Sequence, residues 1–288
     1  MTPTAIADTA CNTGENPLWH PDENAVYWTD IPAGALYRLD WATGRYEQIY
    51  SGEPVGGFTL QVDGSLILFK ARGAVELMRG ADRITLIESL PLELESRFND
   101  VIATPGGRVF AGTMPSPTAP GRLYRIDPDL SVHVVFDGIG CSNGMGFTGD
   151  LKRFYYTDSA ARTITRYDFD DATGALSNPT PFLSRPEISG APDGMTVDCE
   201  DHVWVAYWDG NCLARYSPDG VEVMRIDFPV RKVSSLSFGG PTYEDIFVTT
   251  AGGHIRVEDG ELAGSLFHLK SPVKGRPEFR STLGLAAP

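Results

Sequence analysis

Six positions recur along the chain at intervals of 42 to 50 residues: Glu15, Gly57, Asn99, Asn143, Asp193 and Ser235. Four of them are carboxylates or carboxamides, set in short motifs that lead into apolar runs: Gly14-Glu-Asn-Pro-Leu-Trp19, Arg97-Phe-Asn-Asp100, Cys141-Ser-Asn-Gly144 and Ala191-Pro-Asp-Gly-Met195. If a fold brings these equivalent positions to one axis, Glu15 and Asp193 face each other. Two carboxylates across a narrow channel repel, and one has its pKa raised unless a cation sits between them. A hard divalent ion removes that conflict, with Glu15, Asn143 and Asp193 as an oxygen ligand set and water in the open positions. The competing explanation is that Asn-Gly and Asp-Gly merely make turns. Four such sites in register around one axis favour the cation.

The elements that must position these residues are short and repeated. Six β-branched and aromatic runs follow the six positions: Ala25-Val-Tyr-Trp-Thr-Asp30, Ser65-Leu-Ile-Leu-Phe-Lys70, Arg108-Val-Phe-Ala-Gly-Thr113, Arg153-Phe-Tyr-Tyr-Thr-Asp158, His202-Val-Trp-Val-Ala-Tyr207 and Asp245-Ile-Phe-Val-Thr-Thr250. A second strand-like run follows each, as in Ala35–Asp40, Arg122–Asp127 and Thr163–Asp168, and turn chemistry such as Ala42-Thr-Gly44 or Ser217-Pro-Asp-Gly220 closes most of them. Six copies in 288 residues average 48 each, the size of a propeller blade of three or four strands. The expected fold is therefore all-β: a six-bladed propeller, one domain over 1–288. The run Thr4-Ala-Ile-Ala7 is expected to pair with the last blade and close the ring, removing exposed edge strands. A two-sheet sandwich of this length does not predict six near-equal units.

Composition agrees. Gly (31) and Pro (21) are abundant, and 14 Phe, 11 Tyr and 5 Trp suit many short strands with a large core. Twenty-four basic against 38 acidic residues leave a net charge of −14. That charge disfavours nucleic acid and anionic membrane as partners. No run approaches the ~18 apolar residues of a membrane span. The first residues lack a basic segment followed by an apolar one, so no signal peptide is expected. Cys11, Cys141, Cys199 and Cys212 have no metal-type or scaffold spacing and are expected to be idle thiols in a reducing cytoplasm.

Taken in chain order, Gly14–Trp19, Arg97–Asp100 with Gly112-Thr-Met114, Ser142–Gly144, Pro192–Met195 and Phe238-Gly-Gly-Pro241 resemble the SMP-30/gluconolactonase/regucalcin family over nearly all of the chain. The resemblance implies a six-bladed propeller that binds one divalent metal and hydrolyses sugar-acid lactones. It places the metal ligands on Glu15, Asn143 and Asp193, the general base also on Asp193, and the substrate contacts on Arg97 and Asn99. One departure stands out: Met114-Pro-Ser-Pro-Thr-Ala-Pro-Gly121 is short and carries no acidic residue where animal members place a Glu near the substrate.

Lactone opening needs a polarised carbonyl, a nucleophilic water and a stabilised oxyanion. There is no G-x-S-x-G elbow, and His20, His133, His202, His254 and His268 fall mostly beside turns or on strand surfaces. A metal can perform both the polarisation and the activation of water. The expected partner is thus a sugar-acid lactone such as glucono-, xylono- or arabinonolactone, and the expected cofactor one divalent cation among Ca, Mg, Mn, Zn or Fe. Arg97, two residues from Asn99, either holds substrate hydroxyls or pairs with Glu95 or Asp100. Lys232 in Arg231-Lys-Val-Ser-Ser235 either lines the channel mouth or belongs to a solvated loop. A metal-binding regulatory propeller without catalysis, or another lactonase or phosphotriesterase-type hydrolase on the same scaffold, are the alternative functions.

Overall fold

In this computed structural model, which describes residues 1–184 and 189–285, the strands form six antiparallel four-stranded sheets arranged as the blades of a propeller. The innermost strands, in blade order, are Gly14–His20, Val55–Leu60, Phe98–Ala103, Ser142–Phe147, Ala191–Val197 and Val233–Gly239. Each carries one of the six recurrent positions. The runs that are most conspicuous in the sequence, such as Ala25–Asp30 and Arg153–Asp158, are the second strands. They are conspicuous because they are covered on both faces, which gives continuous apolar stretches in place of alternation. Fourth strands such as Tyr46–Ser51 and Ala175–Ser184 are largely exposed and leave a weaker signal.

Side chains from neighbouring blades interdigitate. Among the described residues the apolar core divides into six clusters, one at each blade–blade interface. Trp28 and Phe247 share the cluster between the first and last blades, and Trp204 and Phe238 the cluster between the last two. Each fully buried aromatic of this kind contributes about 1.5–3 kcal/mol.

The ring is closed twice. Thr4–Ala7 pairs with Leu266–Lys270 as the outermost strand of the last blade, with Thr4 opposite His268, as the sequence predicts. The second closure has no strand pattern and was invisible in the sequence. Residues 274–284 run as a strap across the end of the channel where the innermost strands finish. The strap touches all six blades. Gly275 N–H donates to Tyr243, Cys199 N–H to Lys274, Thr282 N–H to Gly107 and Gly284 N–H to Pro128. Arg276 pairs with Asp201 and Arg280 with Asp22, and Ser281 bridges to Gln61. Leu283 ends the strap fully buried in the core between the second and third blades. No helix among the described residues is long and apolar enough to cross a membrane.

Candidate active site

The innermost strands begin at the end of the channel opposite the strap, and all six carry a register irregularity at or beside the recurrent position. It falls between Glu15 and Leu18, Val55 and Gly57, Phe98 and Val101, Asn143 and Met145, Pro192 and Met195, and Val233 and Ser235. A bulge breaks the ladder locally and re-aims a side chain. Here it does so six times at one level of the channel. In the first blade, Asn16 adopts a left-handed conformation with φ of 50°, turning its N–H onto the Glu15 carboxylate at 3.2 Å. Its side-chain oxygen receives Phe58 N–H of the second blade. Asn16 is part of the site and was not singled out in the sequence.

Asn143-Gly144 and Asp193-Gly194 lie within strands and are not hairpin turns. A Cβ at Gly144 would sit 2.5 Å from the Asp193 carbonyl, and one at Gly194 would collide with Ser235. These glycines let adjacent blades approach closely around the axis, which brings Asn143 beside Asp193.

Glu15, Asn143 and Asp193 are all buried. Burial raises the Glu15 carboxyl well above the ordinary carboxylate range, and the charges of Asp193 and Asp100 raise it further. Asp193 is raised in the same direction by burial and by Asp100, against an opposing hydrogen bond from Asn143 and the charge of Arg97. Asn143 Oδ1 and Asp193 Oδ1 are buried without a hydrogen-bond partner. Unpaired buried oxygens cost roughly 1–3 kcal/mol each, so their convergence with a second carboxylate fits a bound cation. Among the described residues no three His, Cys, Asp or Glu side chains group as a metal site. The candidate set is two carboxylates and a carboxamide.

Arg97 bonds to Phe98 and Asn99 in place of Glu95 or Asp100, and Asp100 accepts the Val101 N–H at 2.8 Å. Glu95 instead accepts the Thr118 hydroxyl at 2.8 Å, tying the 114–121 loop to the segment before Arg97. Arg97 Nη1 donates to Phe98 O at 2.9 Å and to Asn99 Oδ1 at 2.7 Å, and its charge is felt by Glu15 and Asp193. Asn99 Nδ2 donates to Ser142 O at 2.8 Å. Both ends of the Asn99 amide are thereby engaged, one N–H and one lone pair remaining for a ligand. Cys141 reaches this pocket too, its thiol pushed up to about 12 by burial and by Asp193.

Two expectations need correction. Lys232 is committed to buried Asp259 and lies over the Trp208 ring, so it is neither a solvated residue nor a free cation at the mouth. His20 is buried, with Nε2 3.1 Å from Gly64 O; a β-strand with both faces covered hides it. Ser235 and Gly57 share the ring level but bring no charge.

Beyond the ring of Glu15, Asn143 and Asp193, toward the strap, the channel holds a cavity of about 400 Å³. Asn16, Asp100, Ser235 and Glu278 line it, and none of the three candidate ligands does. Burial raises Asp100 to about 6, and burial with the Asp100 charge raises Glu278 to about 7.

Residues 13–252 match the SMP-30/Gluconolactonase/LRE-like region. The chain belongs to this family. Pentonolactonase XacC of Haloferax volcanii is 48% identical over 292 residues, spanning 99% of this chain and 100% of the relative. Regucalcin of Bos taurus is 32% identical over 286 residues, 94% of this chain and 95% of its own. A solved calcium-binding protein, regucalcin, from Agrobacterium tumefaciens superposes with a TM-score of 0.86 at 24% identity over 96% of each chain, a likeness of fold. The SMP-30/gluconolactonase frame thus encloses all five candidate residues, Glu15, Arg97, Asn99, Asn143 and Asp193.

Proposed function

We propose that this chain is a hydrolase that opens the lactone ring of a sugar acid to the free aldonic acid, with one divalent cation held by Glu15, Asn143 and Asp193. The observation that carries this is the pair of unpartnered buried oxygens, Asn143 Oδ1 and Asp193 Oδ1, beside a second buried carboxylate. Similarity to a pentonolactonase along essentially the whole chain supports the substrate class. The all-oxygen set suits Ca, Mg or Mn, and the likeness to a calcium-binding regucalcin supports a divalent ion. A cation bound there supplies Lewis-acid polarisation of the ester carbonyl.

The protein's own groups supply the rest. Asp193 takes the proton of the attacking water and returns it to the leaving alkoxide. Arg97, pre-set by its bond to Asn99, offers its remaining N–H donors to the substrate hydroxyls, and Asn99 offers its remaining N–H and lone pair. Burial of the ring keeps water other than the nucleophile away from the reacting ester. Four unpaired cysteines support assignment to a reducing compartment, the cytoplasm.

The test is acid release in a pH-stat over a panel of five- and six-carbon aldonolactones, before and after chelation and with each metal restored. Chelator-sensitive release on at least one lactone is expected. Metal uptake with no release on any lactone would instead establish a regulatory metal-binding propeller.

A further inference from the structure

The six conspicuous runs end at structurally related sites, in Asp30, Lys70, Thr113, Asp158, Tyr207 and Thr250. Only two of these are aspartates, and they stand in the blades that supply Glu15 and Asn143. Asp30 lies opposite Gly14 and Asp158 opposite Ser142, one residue before the candidate ligand in each case. Each carboxylate caps the turn that leads into its ligand strand. Asp30 accepts the N–H groups of Asn12 and Thr13, both at 3.0 Å. Asp158 accepts those of Gly140 at 3.1 Å and Cys141 at 3.0 Å. The residue after each aspartate repeats the lock through its backbone: Ile31 N–H donates to Thr13 O, and Ser159 N–H to Cys141 O, both at 3.0 Å.

Ser159 adds a contact that Ile31 cannot make. Its hydroxyl donates to Pro192 O at 2.6 Å, across the blade boundary and one residue before Asp193. Two consecutive residues, Asp158 and Ser159, therefore hold the approach to Asn143 and the approach to Asp193 at once. The two ligands come from different blades, so no single strand ladder sets their separation.

We infer that Asp158 and Ser159 are positioning residues that set the spacing of Asn143 and Asp193, whereas Asp30 fixes only the turn that leads to Glu15. The inference rests on the proposed cation site; Asp158 and Ser159 reach its candidate ligands through the backbone of the residues before those ligands. Groups that hold ligands in place typically change metal affinity or activity by about 10–100-fold when removed.

The experiment measures Mn²⁺ affinity of the full chain by electron paramagnetic resonance of the free ion, alongside thermal unfolding of the metal-free protein. Ser159→Ala and Asp158→Asn are expected to weaken Mn²⁺ binding by about 10–100-fold, and Ser159→Thr, which keeps the hydroxyl, to restore it. The metal-free melting temperature of Ser159→Ala should stay near that of the wild type. Unchanged affinity in Ser159→Ala, or a loss that Ser159→Thr does not rescue, overturns the positioning role while leaving the cation site intact. Failure of the wild type itself to bind Mn²⁺, Ca²⁺ or Mg²⁺ overturns the cation site and this inference together. If Asp158→Asn does not fold, the Ser159 pair decides.

Discussion

The two ends of the channel are built from the same six strands and use their polar groups differently. At the strap end polar side chains tie strap to blade: Thr59 and Ser281 hydroxyls meet at 2.8 Å, and the Gln61 amide both donates to Leu283 O and accepts its N–H, while Thr104 Oγ1 and Arg276 Nη1 stay unpaired there. At the other end, Asn143 and Asp193 each keep a buried oxygen with no partner. What sets these two oxygens apart is that they lie beside a further buried carboxylate, Glu15. The contrast teaches that one end of the channel is fastened by the strap and the other gathers carboxylate and amide oxygens, the arrangement on which the proposed cation site rests. Between them, Asp100 and Glu278 face a shared cavity, with carboxyls raised by burial.

This contrast can be broken or sharpened by substitutions at each end. The largest effect is expected at Asp193, where Asp193→Asn keeps the shape and removes the base. Turnover on the responsive lactone should fall by about 10²–10⁴-fold; near-full activity with metal retained would take Asp193 out of the base role. Next comes Leu283→Ala, which empties a fully buried position at the end of the strap. Denaturant unfolding should show a loss of about 2–5 kcal/mol, whereas a loss below 1 kcal/mol, roughly, would mean the strap is not anchored by its apolar end.

Glu278 gives a pH-dependent effect of known sign. Its folded pKa, about 7, is raised from 4.5, so the folded state binds the extra proton between those values, and stability falls as pH rises through that window. Glu278→Gln should therefore be more stable than wild type by about 1–3 kcal/mol at pH 8 and nearly equal to it at pH 4. Parallel stability profiles for the two proteins would show that this carboxyl is not constrained by the cavity. The smallest effect is expected for Arg280→Ala, which breaks a solvent-facing pair with Asp22 at 2.7 Å and should cost under about 1 kcal/mol. A cost equal to that of Leu283→Ala would mean that charge, and not packing, fastens the strap.

The blade repeat was legible because a strand covered on both faces must be apolar throughout, which makes Ala25–Asp30 and its five counterparts stand out. The level of Glu15, Asn143 and Asp193 was legible for the same reason, since equal blades put equivalent positions at equal heights. The strap was not legible. Residues 274–284 have no periodicity, and what holds them is a set of single contacts to distant parts of the chain: backbone bonds to turns, two ion pairs and the buried Leu283. Lys232 was illegible because its partner Asp259 lies 27 residues on, in a short helical turn between the second and third strands of the last blade.

The sequence by itself determined the architecture, the ring of oxygen-bearing side chains and the family to which they belong, because periodicity and residue type are local properties. Tertiary structure decided which polar atoms stay unpaired, that Gly144 and Gly194 serve close approach and not turns, and that Asp158 and Ser159 tie two blades together at the site. Those outcomes depend on distances between blades, and packing around a common axis sets such distances where no run of residues along one strand can.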